Sequence, residues 1–132
     1  MTDYEISVVL KENFDTVVIK TIEALKKEGF GVLTEIDVKK TLKEKLNVEF
    51  ERYVILGACN PPFSKRVLDI EREIGLLLPC NIIVQELQKK KTTKVAAIDP
   101  ERMFKMIGNP QMEPIAKEVK TKLQRVISSL IE

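Results

Sequence analysis

Apolar positions along this chain recur with two different periods, and the switches between them mark out ten elements. Tyr4 to Leu10 reads as a first strand. Asn13 then offers an N-cap, and Phe14, Val17, Val18, Ile22 and Leu25 follow at helical spacing up to Glu28, with Gly29 as the stop. Val32 to Ile36 is a second strand, after which Asp37 caps a short helix whose stripe is Val38, Leu42 and Leu46. Val48 and Phe50 alternate with Glu49 and Glu51 before a denser run from Tyr53 to Ala58, which predicts a strand buried on both faces in its second half.

The second half of the chain repeats one device. Asn60-Pro61, Asp99-Pro100 and Asn109-Pro110 each open a helix, because an Asx side chain accepts from an orphan N–H while Pro gives up an N–H that had no partner. The first of these helices carries Phe63, Val67, Ile70 and Ile74 up to Gly75. The second is short, with Met103, Phe104 and Ile107 before Gly108. The last has a sustained apolar face of Met112, Ile115, Ala116, Val119, Leu123, Val126, Ile127 and Leu130. Between the first and second, Ile82–Leu87 and Lys94–Ile98 predict two strands joined by a loop containing Lys89, Lys90 and Lys91. That lysine tip is expected to be a solvated turn that resists aggregation. Met103, Met106 and Met112 are expected to fill the core near the helix junction.

The order β-α-β-α-β-α-β-β-α-α predicts an α+β fold: a mostly antiparallel sheet with the two long helices on one face. At 132 residues the chain is expected to form a single domain over 1–132, and no polar linker divides it. Its 22 basic and 20 acidic residues nearly cancel and are interspersed, with five Phe, two Tyr and no Trp. That balance speaks against a nucleic-acid partner, which would want a basic face or stacking aromatics. No apolar run suits a membrane span and no leader is evident, so the expected location is cytoplasmic, with both cysteines as thiols.

Histidine is absent. Imidazole bases, Ser-His and Cys-His pairs and His-containing metal sites are therefore excluded, and no metal site is expected. Neither the P-loop nor the dinucleotide glycine spacing occurs.

Several blocks resemble a known family. Gly29-Phe30-Gly31-Val32-Leu33-Thr34-Glu35-Ile36-Asp37-Val38-Lys39, Ile55-Leu56-Gly57-Ala58-Cys59-Asn60-Pro61 and Gly75-Leu76-Leu77-Leu78-Pro79-Cys80-Asn81 look like the signature of the domain of unknown function 302 family, as do the positions of Asp99-Pro100 and Asn109-Pro110. The resemblance implies a curved antiparallel sheet backed by helices, of TATA-box-binding-protein-like architecture, and a homodimer. No activity is established for the family as a whole, and shared architecture does not import DNA binding.

The candidate chemistry is confined to a few residues. Cys59 precedes a helix start, a position that favours thiolate, and Cys80 repeats its Cys-Asn context. Antiparallel neighbouring strands would let the two sulfurs approach; a parallel crossover would place them at opposite ends. Both also read as small buried hydrophobes. Asn60 reads as a cap, whereas Asn81 has no such role and suits the lining of a cleft. Glu35 and Asp37 alternate onto one strand face beside Lys39, where paired carboxylates could share a proton or bind a hard cation, although capping alone accounts for Asp37.

The expected function is a homodimeric module for a small ligand of unknown identity, without catalysis, its pocket near Cys59, Asn60 and Asn81. The alternative is thiol redox, sulfur transfer or soft-metal binding by Cys59 and Cys80. A hydrolytic or isomerising enzyme built on Glu35 and Asp37 is a third reading; the sequence names no cofactor.

Overall fold

The structure is a computed structural model whose described residues are 1–88 and 91–131. It contains β1 (Glu5–Leu10), α1 (Phe14–Lys27), β2 (Gly31–Asp37), α2 (Val38–Leu46), β3 (Tyr53–Cys59) and α3 (Pro61–Ile70). A 3-10 segment, Arg72–Leu77, leads to β4 (Cys80–Glu86), β5 (Thr93–Ile98) and α4 (Pro100–Lys105). A second one, Pro110–Met112, opens α5 (Glu113–Ser129). Lys89 and Lys90, at the predicted lysine tip, lie outside the described residues.

The strands form one antiparallel sheet in the order β1-β5-β4-β3-β2. Period-two alternation then gives each face a distinct population. Val54, Leu56 and Ala58 of β3, Cys80, Ile82 and Val84 of β4 and Val95 and Ala97 of β5 are buried on one face. They join Val17 and Leu25 of α1, Val67 of α3, Phe104 of α4 and Val119 and Leu123 of α5 in a single core cluster. The register puts Tyr53, Ile55, Gly57, Asn81, Ile83, Lys94 and Ala96 on the other face. The β3 run, expected to be buried on both sides, is thus fully covered on one and half-open on the other. Ile55 and Ile83 take no part in the core.

Local chemistry explains the boundaries, and several sequence expectations need correction. Asn13, Asp37, Asp99 and Asn109 cap their helices through side-chain oxygens. Asn60 does not: it makes no capping bond, and its Nδ2 donates instead to the Glu28 carbonyl at 3.1 Å. That carbonyl is an orphan acceptor beyond the end of α1, and buried Asn60 satisfies it. Gly29, at φ +85°, leaves the necessary room, since a Cβ there would lie 3.1 Å from Asn60 Nδ2. Val48–Arg52 is not strand, because the β3 ladder to β2 begins only where Val54 meets Asp37. Met112 is buried as expected, but Met106 is 73% exposed. No helix among the described residues is long and apolar enough to cross a membrane.

Gly57 is a tight point of the sheet. A Cβ there would overlap Thr34 Oγ1 and come within 2.9 Å of Pro79 Cγ. Overpacking of this kind costs about 1–3 kcal/mol. Gly57→Ala is therefore expected to lower the unfolding free energy by that amount, read as a lower urea midpoint at unchanged slope; an unaltered midpoint would contradict this packing.

Candidate functional site

β3 and β4 are antiparallel neighbours, with Ala58 opposite Cys80 and Gly57 opposite Asn81. The two cysteines thus come to the same end of the sheet, yet alternation sends them to opposite sides. Cys80 follows Ala58 into the core. There it lines a cavity of about 20 Å³ with Phe30, Asn60, Phe63 and Phe104, room for about one water molecule. Burial pushes its thiol up to about 11, and neighbouring Cys59 adds to the shift. Cys59 is half-buried, with its Sγ 3.2 Å from Ser64 Oγ in the first turn of α3.

Asn81 is exposed on the open face. It lines a groove of about 300 Å³ with Tyr4, Glu5, Tyr53, Ile83, Lys94 and Ile98. The apolar floor is framed by one ion pair, Lys94 Nζ to Glu5 Oε2 at 2.8 Å. The hydrogen bond from Lys94 holds the Glu5 carboxyl down to about 2, so the pair stays charged and mutually neutralised. Burial raises the Tyr53 hydroxyl above its ordinary range, keeping it protonated. The groove is electrically neutral at ordinary pH.

Glu35, Asp37 and Lys39 come together in a third place, a cleft of about 270 Å³ against Phe14, Asp15, Val18 and Arg52. Their side chains are occupied or solvated. Asp37 accepts from the Lys40 N–H at 2.9 Å, and Lys39 Nζ donates to the Phe50 carbonyl at 2.9 Å. Arg52 grips Asp15 with two bonds, of 3.0 and 2.6 Å, while lying 4.3 Å over the Phe14 ring. Among the described residues no group of three or more Cys, Asp or Glu is arranged to hold a metal.

The largest described cleft, about 420 Å³, lies elsewhere, between α4 and α5. The sequence reading missed both it and the open-face groove. The groove had a signal: Val54-Ile55-Leu56 and Ile82-Ile83-Val84 are unbroken apolar triplets, and an unbroken run presents apolar side chains to both faces.

The family model described as domain of unknown function DUF302 matches residues 6–130. Among solved structures, the chain is similar to the crystal structure of an uncharacterized conserved protein DUF302 from Bacillus stearothermophilus. The TM-score is 0.87 at 30% identity, over 96% of this chain and 98% of that one. No curated protein matches the chain.

The two thiols are expected to react very differently. With iodoacetamide near neutral pH, followed by peptide mass spectrometry, Cys59 should be alkylated in the native state and Cys80 only after denaturation. Equal native rates would contradict the burial of Cys80.

Proposed function

The chain belongs to the DUF302 family, and we propose that this member is a homodimeric small-ligand-binding protein without catalytic machinery, its site the open-face groove that Asn81 lines. The observation that carries this reading is an apolar and neutral sheet face lying opposite the core helices. Ile36 is 48% and Val9 49% exposed on this face. The apolar surface continues inward through Ile55 and Ile83. An antiparallel sheet with one solvated face ordinarily alternates to polar residues there, and a contiguous apolar patch marks a contact or binding surface.

Charge chooses among occupants. The groove's cation, Lys94, is already held by Glu5, which disfavours a polyanion such as nucleic acid. A neutral apolar surface instead fits a second copy of itself across a two-fold axis. Five strands about 4.8 Å apart and six or seven residues long offer about 500 Å² per copy, so about 1,000 Å² in all, at the threshold for a specific interface. The β2–α2 segment adds to it. Residues 31–50 contain no buried side chain, and α2 has only nine residues, too few to be stable alone in water. Local devices hold it: the Asp37 cap and the Lys43–Glu49 pair at 2.9 Å. Covering it in a dimer supplies the burial that it lacks.

Asn81 gives such a groove one directional donor and acceptor on an apolar floor, the arrangement of a small-molecule site. The bound molecule is neutral and largely apolar. Thiol chemistry fits less well, since burial keeps Cys80 protonated.

Sedimentation velocity and thermal shift test the two halves separately. A dimer is expected at high micromolar concentration, and Ile83→Glu, on the open face, should be monomeric with its fold retained by circular dichroism. A screen of neutral amphiphilic compounds should find one that stabilises the wild type by about 2.7 kcal/mol at a hundredfold excess over Kd, the effect being lost in Asn81→Ala. A wild type monomeric throughout would sink the dimer; stabilisation undiminished in Asn81→Ala would sink the site.

A further inference from the structure

The cleft between α4 and α5 has a different chemistry from the open face. Its floor is built from buried residues, Phe104, Met112 and Ala116. Its lining carries four cations, Arg102 and Lys105 from α4 and Lys117 and Lys120 from α5, against the three carboxylates of Asp99, Glu101 and Glu113. On α5 the lining residues Glu113, Ala116, Lys117 and Lys120 follow the spacing i, i+3, i+4, i+7, so a single stripe of the helix looks into the cleft. Gly108, at φ +70°, turns the chain between the two walls, and a Cβ there would meet nothing within 4 Å. At about 420 Å³ the space is ample for a small molecule.

Charge in the cleft is unevenly spent. Lys120 Nζ sits between Asp99 Oδ2 at 3.0 Å and Glu101 Oε1 at 3.2 Å. Asp99 uses its other oxygen to accept from the Glu101 N–H, so the same carboxylate that starts α4 also fixes the ammonium. One ammonium shared by two carboxylates leaves the trio with a single net negative charge, and the carboxylates hold Lys120 protonated above its ordinary range. An ammonium has three donors, and the two carboxylates occupy two of them. Arg102 lies 3.5 Å from Asp3. Lys105 and Lys117 have no carboxylate within 4 Å among the described residues. Glu113 is the remaining carboxylate on the rim, set against these two free cations and the third donor of Lys120.

We propose that this cleft is a second ligand site, specific for a small anion whose carboxylate or phosphate group is held by Lys105, Lys117 and the pre-positioned ammonium of Lys120. Lysines bind such groups as point charges. The Asp99–Lys120–Glu101 bridge spares one of them the entropy of being ordered on binding. The site is independent of the open-face groove and of dimerisation.

Inorganic phosphate and succinate serve as probes. Each is titrated into the isotope-labelled full chain at constant ionic strength, balanced with sodium chloride, and amide shifts are followed by NMR. Saturable shifts confined to residues 99–120 are expected with one or both anions. Phosphate alone would assign a phosphoryl ligand, and succinate alone a carboxylate. The double variant Lys105→Gln/Lys117→Gln should weaken the response at least tenfold with its melting temperature retained. Lys26→Gln/Lys27→Gln, at the end of α1 and away from the cleft, should leave it unchanged. Non-saturating shifts, shifts spread over lysines generally, a chloride titration that reproduces them, or full binding in the Lys105/Lys117 variant would each overturn the proposal.

Discussion

A sheet has two faces, and this chain has a core for one of them. Val17, Leu25, Val67, Phe104, Val119 and Leu123 meet Leu56, Ile82, Val84 and Val95 in one continuous cluster. Burying each such side chain contributes about 1.5–3 kcal/mol. That concentration on one side fixes the register of β3, β4 and β5, because a slip of one residue would turn each apolar set outward. It also leaves Ile55, Ile83 and Ile36 on the far face, where the core helices do not reach. The dimer and the groove proposed for this protein both descend from that asymmetry.

The element order was legible because it rests on local chemistry. Asn13, Asp37, Asp99 and Asn109 each cap the helix that follows, as a short polar side chain before an apolar-periodic run should. Where the outcome depended on distant partners the sequence was silent. Asn60 has the same local context as Asp99 and Asn109, yet its side chain turns to Glu28, a residue brought near only by folding. Val48 to Glu51 has the alternation of a strand but no neighbouring chain to pair with. The burial of Met112 and the exposure of Met106 were equally invisible, since both lie where α4 gives way to α5.

The candidate site was readable by residue and not by place. Antiparallel pairing of β3 with β4 brings Cys59, Asn60, Cys80 and Asn81 to one end of the sheet, within reach of one another along the chain. The pleat then divides them: Cys80 and Asn60 line a small hollow on the core side, and Asn81 the open groove. Period-two geometry separates neighbours as firmly as pairing unites them. The charged cleft between α4 and α5 went unread because its lysines stand on the polar side of α5, where charge ordinarily means solvent. Only the crossing of the two helices makes a hollow of it.

In the proposed dimer a second copy of the chain covers the open face and the β2–α2 segment. Amide hydrogen exchange at low and at high micromolar protein concentration tests this directly, since fully covered amides exchange with the free energy of the whole assembly and uncovered ones with that of local opening. Exchange across residues 31–50 is expected to slow by about tenfold or more as concentration rises, while the core of α5 is unaffected. Rates in residues 31–50 that stay constant across that range would contradict it.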